Sequence, residues 1–241
     1  MRVLDLFCGG GGAAEGYRRA GCELVGVDLD DHSANYTHVG RFYQADALEF
    51  LRLNGHLFDL IHASPPCQAY STAVVSKSSR WNHTRGKDEP MLIEPLRELL
   101  EASGKPYIIE NVRGAREYLQ DPIELCGTMF DLPTSRHRYF ECYPRLAAPA
   151  HPKCIGVAKR FAAEKGWEYR DMSVTGKGRR AGTAERWKEI LGIEHHMTQH
   201  ELAESIPPAY THYLAKQMRK KLCDQNMTLT STAWDQLPSW T

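Results

Sequence analysis

The stretch RVLDLFCGGGGAAEGYRRAGCELVGVDLD, residues 2–30, constrains the fold more than any other part of the chain. An apolar run breaks at four glycines, a helical pattern follows, and a second apolar run ends in Asp28. Strand, tight turn, helix and strand in so few residues require two parallel strands joined by a right-handed crossover, and therefore an α/β fold. The alternation continues downstream. Strands are expected near 2–6, 23–28, 58–63, 106–110 and 138–142, with helices near 12–20, 32–37, 46–53 and 91–103. In the last of these, Leu92, Ile93, Leu96, Leu99 and Leu100 share one face and Gly104 supplies a stop. The pattern predicts a parallel sheet covered on both faces.

With 241 residues, 42% of them hydrophobic, one domain can bury a sizeable core. No apolar run reaches the roughly 18 residues that a membrane span needs, and Met1 leads straight into a core strand, so a cytoplasmic protein without a signal peptide is expected. The seven cysteines are scattered, odd in number and free of any C-x-x-C pair, which predicts reduced thiols and no metal site. His195, His196 and His200 read as ordinary surface or packing histidines. The formal net charge of +0 excludes a uniformly basic protein, yet residues 145–188 hold eleven Lys and Arg against four acids. This is the one basic region, and its glycine-rich middle, TGKGRRAGT, reads as a loop.

Glycines after the first strand let the backbone approach a ligand, and the following helix offers unpaired N–H groups. Asp28, at the tip of the second strand, suits two ribose hydroxyls, and Asp46 in YQADAL suits an exocyclic amine. Because position 14 is alanine, the run from Gly9 to Gly12 is not a G-x-G-x-x-G dinucleotide signature. The set fits S-adenosylmethionine better than NAD.

Five short motifs then fall in one order: DLFCGGGG (5–12), PPCQ (65–68), ENV (110–112), SRHR (135–138) and AESIPPA (203–209). In these the chain resembles the DNA (cytosine-5)-methyltransferase family, over about residues 1–142 and 199–215. The resemblance implies a Rossmann-like sheet of the S-adenosylmethionine-dependent methyltransferase kind with a small basic target-recognition lobe. It implies methyl transfer to carbon 5 of a cytosine flipped out of DNA, through a covalent adduct on Cys67. Glu110 would serve the ring N3, Arg138 the O2, and Arg136 the pocket or a phosphate; Asn111 would brace the Cys67 loop. Phe7, Gly9, Gly11, Asp28, Asp46, Gln68 and Ser205 carry over as cofactor residues. Ser71, Arg80, Lys177, Arg179 and Arg180 are the DNA-contact candidates.

The implied organisation is a catalytic and cofactor-binding domain (1–142), a basic DNA-recognition region (143–198), a closing motif that returns to the catalytic domain (199–221) and a polar tail (222–241). Segment 72–90 reads as a lid over DNA, with Arg80, His83 and Arg85 facing phosphates. Double-stranded DNA is the expected partner, with no membrane, and the chain is expected to act as a monomer. Three departures from the family pattern stand out: Thr134 replaces a glutamine, Glu204 replaces an asparagine, and only about 60 residues separate the arginine and closing motifs, which predicts a short or relaxed recognition sequence. An RNA cytosine methyltransferase and a catalytically silent DNA-binding protein of the same fold are the competing readings.

Overall fold

A computed structural model describes residues 1–70, 90–154, 156–172, 174 and 182–224. Its strands are β1 (Arg2–Leu6), β2 (Glu23–Asp28), β3 (Arg41–Gln44), β4 (Leu60–Ala63), β5 (Tyr107–Asn111), β6 (Ile123–Leu125) and β7 (Arg138–Tyr143). The helices are α1 (Gly12–Arg19), α2 (Ser33–Tyr36), α3 (Ala47–Asn54), α4 (Ile93–Ser103), α5 (Val157–Glu164), α6 (Ala184–Leu191), α7 (Gln199–Glu204) and α8 (Pro208–Asp224). None of the described helices is long and apolar enough to cross a membrane.

The seven strands make one sheet in the order β3-β2-β1-β4-β5-β7-β6. From β3 through β5 every pairing is parallel. The expectation of a wholly parallel sheet fails at the far edge, where β7 runs antiparallel to both β5 and β6. A parallel return needs a crossover, usually a helix, whereas only 3-10 turns (Arg113–Tyr118 and Gly127–Phe130) and loops join β5, β6 and β7.

Alternate residues of β1 feed the two faces, as the period of a strand requires. Val3 joins Tyr17, Tyr210, Leu214 and Met218 on the side of α1 and α8. Leu4 and Leu6 join Phe50, Leu51, Leu96 and Leu100 on the side of α3 and α4. Each fully buried side chain of this kind contributes about 1.5–3 kcal/mol. The α1–α8 contact is close at the backbone: Thr211 Oγ1 donates to the Ala13 carbonyl at 2.7 Å, and a Cβ on Gly16 would collide with Thr211 Oγ1 and the Pro208 carbonyl oxygen.

The basic segment is more than an exposed loop. Trp187, Ile190, Leu191, Met172, Val174 and Ile193 form a third apolar cluster that extends to Met197 and Leu202, leading into the closing motif. At its start α6 is capped by Thr183, whose hydroxyl accepts from the Arg186 N–H at 3.3 Å. Helix α8 also continues past residue 221, to Asp224.

Candidate active site

In an open α/β sheet, ligands bind beyond the carboxyl ends of the strands, where the strand order reverses. Here that point lies between β1 and β4, which pair directly while their connections run to opposite sides. The loop after β1 holds Phe7, Gly9 and Gly11; the loop after β4 holds Cys67 and Gln68; Glu110 lies near the end of β5. Because β7 is antiparallel, its first residue, Arg138, lies at the same edge. The register pairs Glu110 with Phe140 and Asn111 with Tyr139, so Arg138 stands just beyond the last paired residue of β5.

Arg138 Nε lies 3.1 Å from Glu110 Oε1, and Arg138 Nη1 donates to the His137 carbonyl at 3.0 Å. The ion-pair contact is off line, since Glu110 Oε1 is buried with no hydrogen-bond partner among the described residues. Burial pushes the Glu110 carboxyl up from its ordinary range, against the pull of Arg138, Arg136 and a hydrogen bond from Ser64. Burial also raises the Cys67 thiol, and the charges of Glu110 and Glu204 add to that rise while Arg138 opposes it. These contributions mark Cys67, Glu110, Arg138 and Glu204 as one electrostatic neighbourhood. Asn111 Nδ2 donates to the Pro65 carbonyl at 2.9 Å, tying the Cys67 loop to β5.

Arg136 is placed differently. Its Nε donates to the Ser205 carbonyl at 2.9 Å and Nη1 to the Val174 carbonyl at 3.0 Å, while Nη2 donates to the Ala203 carbonyl. Its own carbonyl accepts from the Tyr210 hydroxyl at 2.6 Å. With three guanidinium nitrogens on main-chain carbonyls, Arg136 holds the closing motif and the lobe against the arginine loop. Ser205 in turn abuts the glycine loop, since a Cβ on Gly12 would lie 2.9 Å from Ser205 Oγ. Thr134 is buried against Gly127.

Residues 1–120 match the family described as C-5 cytosine-specific DNA methylase. The chain belongs to that family. It is 32% identical over 118 residues to the Type II methyltransferase M.FnuDI of Fusobacterium nucleatum, a span of 47% of this chain and 33% of that protein. It is 26% identical over 167 residues to the Type II methyltransferase M.AgeI of Thalassovita gelatinovora, covering 58% of this chain and 38% of the relative. The chain thus spans about a third of these relatives' own length. The solved structure of the Entamoeba histolytica methyltransferase EhMeth superposes with a TM-score of 0.59 over 92% of this chain and 98% of that one, at 14% identity, a likeness of fold.

C-5 cytosine-specific DNA methylases depend in general on S-adenosylmethionine, and the glycine loop has room for such a group. Gly9 has φ +47°, and a Cβ there would meet nothing within 4 Å, so the loop faces open space. Phe7 also has a left-handed backbone at φ 56°, a conformation that costs a non-glycine residue of order 1–3 kcal/mol and concentrates at ligand clamps. The Asp28 carboxylate already holds the loop, accepting from the Gly9 N–H at 2.9 Å and the Asp30 N–H at 3.1 Å. Asp46 caps α3 by accepting from the Glu49 N–H at 2.8 Å, and its side chain remains exposed.

In this member of the family the sequence reading passed over a buried polar chain. Tyr17 Oη lies 2.9 Å from His62 Nδ1, His62 Nε2 lies 3.1 Å from Ser64 Oγ, and Ser64 bonds Glu110. Burial holds the His62 pKa down to about 3, so a neutral ring joins two hydroxyls. The available signal was the alternation of His62 and Ser64 on one face of the strand that leads to Cys67. His195, read as a packing residue, sets Nε2 2.9 Å from the Gly10 carbonyl. Ser71, Arg80, Lys177, Arg179 and Arg180, with the expected lid, lie outside the described residues, although its flanks are joined by the Ile93 N–H donating to Tyr70 Oη at 3.1 Å.

Proposed function

We propose that this chain transfers a methyl group from S-adenosylmethionine to carbon 5 of cytosine in double-stranded DNA, with Cys67 as the nucleophile. The observation that carries the reading is the convergence of a partly buried thiol, a carboxyl with a raised pKa and an arginine at one sheet edge, beside the glycine loop.

Carbon 5 of cytosine is a poor nucleophile, so the ring must first be made electron-rich. Cys67 gives up its proton to solvent, and its thiolate adds to carbon 6, opening the 5,6 double bond so that the new charge spreads toward N3 and O2. Glu110, whose carboxyl burial pushes up from its ordinary range, donates to N3, and Arg138 donates to O2. The two roles assist each other. Protonation of Glu110 would remove one of the charges that raise the Cys67 thiol, so a proton held ready for the ring would also ease formation of the thiolate. When bound, S-adenosylmethionine supplies the electrophilic methyl group. A base, water in the simplest case, then removes the carbon-5 proton, and the Cys67–carbon 6 bond breaks. Phe7, Gly9, Gly11, Asp28, Asp46, Gln68 and Ser205 are proposed to hold the cofactor, and Arg136 to position the closing motif.

The test is incubation with methyl-labelled S-adenosylmethionine and either duplex DNA or tRNA, for the wild type and Cys67→Ser. Label in DNA that disappears in the variant is the expected result. Label in RNA alone points to the RNA reading, and none in either nucleic acid to a silent binding protein. Duplex DNA carrying 5-fluorocytosine should give a covalent complex with the wild type alone, because carbon 5 then has no proton to lose.

A further inference from the structure

Four side chains gather where β7 begins, next to Arg138 in the sequence. Cys126 follows β6, His137 stands immediately before Arg138, and His151 and Cys154 lie in the segment that leaves β7 for the basic lobe. Their sulfur and ring-nitrogen atoms all lie within 4.8 Å of one another. Cys126 Sγ is 3.4 Å from Cys154 Sγ, His151 Nε2 is 3.0 Å from Cys154 Sγ, and His137 Nε2 is 3.7 Å from the same sulfur.

We propose that Cys126, His137, His151 and Cys154 form a tetrahedral zinc site that clamps the start of the basic lobe to the strand carrying Arg138. Zinc bonds of about 2.3 Å to sulfur and about 2.0–2.1 Å to nitrogen give tetrahedral edges of roughly 3.3–3.8 Å. The separations already present scatter about that range, so a metal could be seated with small side-chain movements. Two thiolates balance the charge of the ion, and a mixed sulfur and imidazole set selects zinc over the oxygen-seeking magnesium or calcium. Four protein ligands leave no open coordination position, which makes the site structural.

The surroundings fit this assignment. Thr128 Oγ1 lies 3.2 Å from Cys126 Sγ and 3.5 Å from Cys154 Sγ, placed to donate to one thiolate. Glu124 Oε1 stands 3.3 Å from His137 Nε2, and its other oxygen accepts from the Tyr139 hydroxyl at 2.9 Å. A cation on His137 would face that carboxylate in place of the imidazole proton. The sulfur atoms are too far apart for a disulfide, whose bond length is about 2.05 Å, and both cysteines are free. Such a site departs from the sequence expectation of no metal. A search for C-x-x-C misses ligands delivered by three separate turns, with His151-x-x-Cys154 the one local pair.

The full chain, purified under reducing conditions without chelator, should carry about one zinc per molecule by elemental analysis. After exchange into Co2+ it should show the visible bands of a tetrahedral ion and a thiolate-to-metal charge-transfer band. Cys154→Ser and His151→Ala should each lose that spectrum, whereas Cys223→Ser, in the exposed last turn of α8, should keep it. Should the ligand variants fail to fold, Thr128→Val retains all four ligands and should weaken zinc binding by about 10–100-fold in a chelator competition. The proposal is overturned by a wild type that neither carries zinc nor gives the cobalt spectrum. It is equally overturned by binding that survives in both folded ligand variants, by an unchanged zinc affinity in Thr128→Val, or by a Cys126–Cys154 disulfide in the reduced preparation.

Discussion

Substituting alanine for Gly12 separates the two reasons a glycine can stand in this loop. Gly12 opens α1, where alanine is the better helix former by at most about 1 kcal/mol. Against that gain, the added Cβ would lie 2.7 Å from the Ile206 carbonyl oxygen, 2.9 Å from Ser205 Oγ and 3.1 Å from Ser205 Cβ. Ordinary contacts begin near 3.4 Å, so the closing motif must retreat by several tenths of an ångström against main chain that cannot rotate away. Overpacking of this kind costs about 1–3 kcal/mol. The net expectation is a loss of about 1–2 kcal/mol, or roughly 2–8 °C in Tm for a chain of this size. Since Ser205 moves with the motif, affinity for S-adenosylmethionine should fall as well. Urea denaturation and calorimetric titration measure the two effects. Gly9→Ala is the contrasting case: its Cβ enters open space, so it should perturb cofactor binding through backbone strain without disturbing Ser205. A Gly12→Ala protein as stable as the wild type, with unchanged cofactor affinity, would refute the close approach of the closing motif to the glycine loop.

Two further perturbations probe buried polar groups. Asp5 is fully buried, its Oδ2 accepting from the Tyr36 hydroxyl at 3.1 Å, and burial lifts its pKa to about 8, with smaller contributions from Asp28 and Glu110. Unfolded, it would release its proton near its ordinary value of about 4. Between those values the folded state binds more protons at Asp5, so this group's contribution to stability declines as pH rises from about 4 toward about 8. Asp5→Asn should remove that contribution, so that denaturation midpoints fall less, or rise more, with pH across the window than in the wild type; Glu110 acts in the same direction and His62, whose pKa burial lowers to about 3, in the opposite one. An identical slope in the variant would rule the assignment out. Asn111→Ala strands the Pro65 carbonyl and should cost about 1–3 kcal/mol while slowing formation of the 5-fluorocytosine adduct. An adduct rate equal to wild type would show that this hydrogen bond does not position Cys67.

Strands buried on both faces were the most legible part of the chain. β1, β2, β4, β5 and β7 are built around short buried apolar stretches, and their expected bounds fall within two residues of those observed. β3 was not among them because its residues RFYQ sit at the sheet edge, partly exposed and weakly apolar. β6 has three residues, too few to show a period. The reversal of β7 was invisible because strand direction is set by the connection, and turns without helical periodicity leave no pattern to read. Within the candidate site, the order of motifs singled out Cys67, Glu110 and Arg138. It did not reveal that Arg136 faces inward onto three carbonyls, or that Ser64 connects Glu110 to His62, since both depend on contacts far apart in sequence. Helices α5 and α6 escaped notice because eleven basic residues masked the apolar stripe around Trp187.

The backbone contact between α1 and α8 joins positions 198 residues apart. During synthesis the glycine loop therefore emerges from the ribosome long before the segment that seals its far side. Until α8 is released, the nascent chain exposes Tyr17 and the glycine face of α1, an apolar surface on which a premature partner or a chaperone could settle. Closure of the glycine loop on that side thus waits until the chain has been made through α8.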